Sequence, residues 1–137
     1  MNVVLVGCGK RKQKVPAKAK DMYIGPLTSR TIKYGQSLPH DKLFILSAKY
    51  GLLKEDEVIA PYDLTLNNMN DKEVLRWAIM VTKQLEEVCD VKNDFFYILC
   101  GNQYYKFLID RVLKNYKILM RGMTQGQRIA YLSGKGF

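Results

Sequence analysis

Four short apolar runs constrain this chain more than any other feature: NVVLVGC (Asn2 to Cys8), KLFILS (Lys42 to Ser47), FFYILC (Phe95 to Cys100) and YKILM (Tyr116 to Met120). In the first three the apolar residues are continuous rather than alternating, the pattern of buried strands, and YKILM reads as a fourth strand. Between them lie segments of helical period. PLTSRTIKYGQ (Pro26 to Gln36) carries Pro near its first turn. Asn70 with Glu73 three residues on reads as a capping box, and Val74, Leu75, Ala78, Val81, Leu85 and Val88 then recur at helical spacing, predicting a helix over about 71–89. Gly101 and Asn102 open a helix carrying Tyr105, Leu108, Ile109 and Val112, and TQGQRIAYL (Thr124 to Leu132) reads as a last short helix. Strands alternating with helices predict one α/β domain over residues 1–137, a three-layer α/β/α arrangement around a four-stranded parallel sheet.

A chain of 137 residues that is 47% hydrophobic can bury a core without disulfide staples. Its three cysteines, Cys8, Cys89 and Cys100, are odd in number and widely spaced, which fits reduced thiols. No run approaches the length of a membrane span, and the charges of MNVVLVGCGKRK follow the apolar stretch, the reverse of a signal peptide. The expectation is a cytoplasmic protein with no membrane contact, cofactor or metal. Charge is the first functional hint. There are 22 Lys and Arg against 13 Asp and Glu, a net +9. Lys10, Arg11, Lys12, Lys14, Lys18 and Lys20 all precede the first acid, Asp21. Such a loop attracts phosphorylated ligands or nucleic acid, or is simply a solvated basic face.

In open parallel sheets, ligands bind at the carboxyl ends of the strands. Four segments fall there: GCGKRK with Cys8, Gly9, Lys10 and Lys12; SAKYGLL with Ser47, Lys49, Tyr50 and Gly51; CGNQYY with Gly101, Asn102 and Tyr105; and RGMTQGQ with Gln125, Gly126 and Gln127. SAKYGLLKEDEVIAPYDLTL (Ser47 to Leu66) leaves its strand by neither an evident tight turn nor a helix, and supplies Tyr62 and Asp63 as well. Tyr50 and Tyr62 are expected to stack on a base, Ser47 and Asp63 to hydrogen-bond its edge or a ribose, and Lys49 to meet a phosphate. The alternative is that YGLL and PY pack as an irregular plug. Gly126, inside a first helical turn, suggests close approach by a ligand or a neighbouring strand. GCGK lacks the spacing of a nucleotide fingerprint, and His40, in a PHDK turn at the far end of the sheet, is out of reach for a His-based triad. Cys8 has basic neighbours but no base nearby in sequence, so a buried strand-end role outweighs that of a nucleophile. Asp63 is the one acid in these loops, a candidate catalytic carboxylate or an ordinary turn cap.

The SAKYGLL…PYD stretch resembles the signature of the YaaA family of peroxide-stress DNA-binding proteins. It is also similar to small domains that open on a strand followed by CGKRK, and to archaeosine-synthase-type tRNA-modification proteins. These groups are related in fold to the uracil-DNA glycosylases, so the resemblance implies a uracil-DNA-glycosylase-like core. The chain carries no GQDPYH-like motif after its first strand and has RGMTQGQ where an HPSP-like motif would follow its fourth. The two pieces that perform glycosylase chemistry are thus absent or replaced, and YaaA-type chains are much longer. Three functions follow as expectations. One is an enzyme acting on a nucleobase or nucleoside, by N-glycosidic cleavage or base modification, with Asp63 stabilising an oxocarbenium-like sugar. The others are a module that captures a nucleotide or nucleotide-derived signal, and a DNA-binding stress protein.

Overall fold

The computed structural model describes residues 1–137. Its strands are β1 (Asn2–Gly7), β2 (Ala17–Lys18), β3 (Lys42–Ser47), β4 (Gly51–Lys54), β5 (Val58–Ile59), β6 (Phe95–Leu99) and β7 (Asn115–Ile118). Its helices are α1 (Ala19–Met22), α2 (Pro26–Ser37), α3 (Asp71–Val88), α4 (Asn102–Arg111) and α5 (Gln125–Gly134), with a 3₁₀ turn at Leu66–Asn68. The main sheet has the order β4-β3-β1-β6-β7. β1 pairs in parallel with β3 and β6, and β6 with β7, so four strands point one way. No helix is long and apolar enough to cross a membrane.

β1 lies at the centre, and its continuous apolar run follows from that position. Val3 and Leu5 face α3 and α4, in a core with Val74, Trp77, Val81, Leu85 and Leu108. Val4 and Val6 face the opposite way, into a core with Ile32 of α2 and Leu132 of α5. All four β1 side chains are fully buried. Gly35 of α2 lets that helix settle on the sheet, because a Cβ there would lie 3.1 Å from Val4 and Val6. On the other face, α3 begins at the expected capping box of Asn70 and Glu73.

The sheet has five strands where four were expected, and the fifth runs antiparallel. The segment expected to leave β3 without a tight turn makes one. Ala48, Lys49 and Tyr50 form a three-residue loop, Ser47 pairs with Gly51, and β4 returns along β3 as an edge strand. The turn carries neither Asn-Gly nor Asp-Gly, because a side chain closes it. The Ser47 hydroxyl accepts the N–H groups of Lys49 and Tyr50 at 3.2 and 3.0 Å. Gly51 then adopts φ +74°, a left-handed conformation that favours glycine. Gln84 of α3 clips the hairpin from outside: its Oε1 accepts Leu52 N–H at 2.8 Å and its Nε2 donates to the Tyr50 carbonyl at 3.2 Å. The basic loop is also more ordered than its composition suggests, since β2 pairs with β5, and Lys12 with Tyr23 in an isolated antiparallel bridge.

Gly51→Ala is expected to destabilise the fold by about 1–3 kcal/mol, through positive-φ strain and displacement of the Gln84 amide. A Cβ at that position would stand 2.3 Å from Gln84 Oε1. Denaturant unfolding of the variant beside wild type measures the loss, and an unchanged midpoint would show that the hairpin tolerates a side chain there.

Candidate functional site

After β1 the chain crosses through α2 to β3 on one side, and after β6 it crosses through α4 to β7 on the other. The loops leaving the carboxyl ends of β1 and β6 therefore diverge, and an open α/β sheet has its binding crevice at such a point. A cleft of about 690 Å³ lies there, within the range of small-molecule sites. One wall is the loop Cys8 to Lys12, continued by Gly25 to Thr28 at the start of α2. Asp63, Leu64, Thr65, Asn67 and Asn68 form the opposite wall, with Tyr104 and Gln125 completing the lining.

Glycine brings the parts of the basic wall together. A Cβ on Gly9 would lie 2.3 Å from Thr28 Oγ1, so the strand-end loop touches the first turn of α2 only because residue 9 has none. α2 starts with Pro26 and has neither a side-chain cap nor an acidic residue in its first turn. Its uncapped first N–H groups thus share a wall with Lys10, Arg11 and Lys12, an electropositive end suited to an anion. The facing wall carries one carboxylate, Asp63, with the amides of Asn67 and Asn68. Lower in the cleft, Cys8 Sγ lies 3.2 Å from the Tyr104 hydroxyl, which also receives the Leu66 N–H at 3.4 Å. Burial pushes the Tyr104 phenol up, keeping it protonated.

Of the candidate residues from the sequence, Cys8, Gly9, Lys10, Lys12, Asp63 and Gln125 line this cleft. Tyr50, Asn102 and Gln127, expected in the same cleft, are not among its walls. The stretch Ser47 to Gly51 with Tyr62 packs beside it as a plug. The Tyr62 hydroxyl receives Ser47 Oγ–H at 2.8 Å and meets Tyr23 OH at 2.7 Å. The Tyr50 ring meets the Tyr62 ring edge to face, centroids 5.5 Å apart, and Tyr50 OH donates to the Ala60 carbonyl. Lys49 reaches over the Tyr50 ring at 5.3 Å. The Tyr62 ring thus meets protein groups where stacking on a base was expected, with the Lys12 ammonium 4.4 Å from its centroid.

The remaining candidates have structural placements. Gly101 is the N-cap of α4, Asn102 is exposed in its first turn and Tyr105 is buried in the core. Gln127 closes a capping box: Thr124 N–H donates to its Oε1, and its own N–H donates to Thr124 Oγ1. Gly126 faces open space, with no protein atom near the position of a Cβ, so no neighbouring strand approaches it. Cleft residues not singled out as ligand contacts in the sequence include Arg11, Gly25, Pro26, Thr28, Asn67, Asn68 and Tyr104. Gly25-Pro26 marks a helix start and LNNMN is a polar run within an apolar stretch, so both signals were present.

Burial pushes the Tyr23 phenol up from its ordinary 10 to about 12, and pushes the Tyr62 phenol up as well. Unfolded phenols ionise near pH 10 while folded Tyr23 keeps its proton to about 12. Their stabilising contribution is therefore complete below pH 10 and is lost as pH rises from 10 toward 12. Denaturant midpoints across that range should fall, and fall less in Tyr62→Phe. At neutral pH that variant should lose about 1–2 kcal/mol by leaving the Ser47 and Tyr23 hydroxyls short of a partner.

Two comparisons with known proteins bear on the chain. It is 23% identical over 137 residues to the uncharacterized protein YfjM of Bacillus subtilis (strain 168), covering 93% of this chain and 87% of that one. The profile of DUF6884, described as a family of unknown function, matches residues 3–134, and with nearly its whole length matched the chain belongs to that family.

Proposed function

We propose that the protein acts on a nucleobase or nucleoside carried by a phosphorylated ligand, held in the cleft between the ends of β1 and β6. The observation that carries this reading is the division of the cleft into a basic end and a polar end: Lys10, Arg11, Lys12 and the start of α2 on one wall, Asp63, Asn67 and Asn68 on the other. Phosphate belongs at the first, through charge and helix N–H groups. Hydrogen-bonding edges of a ribose or base suit the carboxylate and amides of the second. Asp63, exposed and facing the cleft, can stabilise positive charge that develops on a sugar as an N-glycosidic bond breaks. The resemblance of SAKYGLL…PYD to YaaA-type chains, and through them to the uracil-DNA glycosylase fold, supports a nucleobase-directed role.

Incubation with nucleotide, nucleoside and DNA pools, followed by mass spectrometry of the bound fraction and the products, tests the reading. Released base is the expected product of a glycosidase. Asp63→Asn should then cut turnover by a factor of hundreds or more and leave binding nearly intact, because its charge acts chiefly in the transition state. Bound but unchanged nucleotide would assign the cleft to capture instead of cleavage. Turnover unaffected by Asp63→Asn would remove that residue from the mechanism.

A further inference from the structure

Resting on the reading that the cleft takes a phosphorylated ligand, we infer that Lys12 anchors the phosphate and that the buried hydroxyl chain Tyr23–Tyr62–Ser47 holds it in position. Adjacency in sequence favours Lys10, which directly follows Gly9 at the strand end. The geometry favours Lys12 instead. Lys10 and Arg11 are exposed, while Lys12 is half-buried. Its ammonium donates to the Lys10 carbonyl at 3.2 Å and stands 4.4 Å from the centroid of the Tyr62 ring. Its backbone is pinned as well, by the bridge to Tyr23 and by the flanking bonds Gln13 N–H to Met22 O at 2.9 Å and Ile24 N–H to Arg11 O at 3.1 Å.

None of the groups around the ammonium, the Lys10 carbonyl, the Tyr62 ring and the Tyr23 ring at 5.9 Å, carries a charge. Lys18 and Lys20, farther along the same segment, lie 3.8 and 3.5 Å from Asp56, but Lys12 has no carboxylate partner. A ring face and a carbonyl fix the direction of the cation without neutralising it. The ring cannot turn away, since its hydroxyl is clamped between Ser47 and Tyr23. A flexible lysine normally loses side-chain freedom when it binds an anion, and Lys12 has lost much of it beforehand. This also accounts for a serine and two tyrosines bonded together beside a cleft they do not line: they position Lys12, and Lys12 touches the ligand.

The test is titration of wild type and variants with inorganic phosphate, the four ribonucleoside 5′-monophosphates and the corresponding nucleosides. Lys12→Met should weaken monophosphate and phosphate binding about tenfold or more, and nucleoside binding much less. Lys10→Met should cost less than Lys12→Met, and Lys12→Arg should recover part of the loss. Tyr62→Leu, which removes the ring, should weaken binding more than Tyr62→Phe, which keeps it. Once Lys12 is Met, adding Tyr62→Leu should change little, because the ring acts through the ammonium. A purely structural Tyr62 would add its full effect in the double variant, and that result would overturn the inference. So would Lys10→Met costing as much as Lys12→Met, or wild-type nucleosides binding as tightly as their monophosphates. These outcomes leave the cleft itself standing, whereas a wild-type protein that binds none of the probes overturns both readings.

Discussion

Burial of β1 on both faces is the constraint on which the rest depends. Val3 and Leu5 serve one core and Val4 and Val6 the other, so neither helical layer has its full core without this strand. The same placement fixes where β1 ends. Gly7 faces Cys100, whose Cβ would lie 2.8 Å from any Cβ at position 7, so the ends of β1 and β6 approach as closely as glycine permits. Cys8 and Gly9 then emerge where the two crossovers diverge. The floor of the cleft is a direct continuation of the core, and its position is as firmly set as the packing behind it.

From that floor the polar groups are arranged by contacts of very different sequence range. Gly9 meets Thr28 across the short β2 and α1 that lie between them. Cys8 meets Tyr104 across ninety-six residues, and Ser47 reaches Tyr23 through Tyr62. These buried hydroxyl groups are satisfied, since no buried side-chain nitrogen or oxygen lacks a hydrogen-bond partner. A chain of bonded hydroxyls in a low-dielectric setting is stiff, because breaking one link leaves another group unpaired. That stiffness extends to the Tyr62 ring, against which the Lys12 ammonium of the cleft wall rests.

What was legible in the sequence follows from range. β1, β3 and β6 were readable because double-sided burial writes itself as continuous apolar runs, and α3 because Asn70 and Glu73 announce its start; β7 is a half-exposed edge strand whose run is broken by Lys117. β4 was not readable, since its turn depends on the Ser47 hydroxyl, and a serine at a strand end carries no such mark. The basic wall of the cleft was legible as a charge block, but the contact that sets Lys12 apart from Lys10 and Arg11 was not. Lys12 gains its place from Tyr62, fifty residues away, and no local pattern encodes that contact. Tyr62 itself was expected to meet a base because an aromatic beside polar residues looks the same whether its face meets a ligand or a neighbouring ammonium. Gln127 and Gly126 were assigned to the ligand by position alone, yet Thr124-x-x-Gln127 is a capping box that the same rules of helix initiation describe.

The central place of β1 also sets the order of events as the chain is made. β1 is synthesised before both of its neighbours, and its pairing with β6 joins Asn2 to Phe95. At ordinary rates of translation, roughly five to twenty seconds separate the appearance of the two strands. Pairing with β3 can cover one edge of VVLV in that interval, but the other stays open, apolar and ready to accept a foreign strand. The β1 edge that will pair with β6 is therefore a point of misassembly in the nascent chain until Phe95 to Leu99 arrives to cover it.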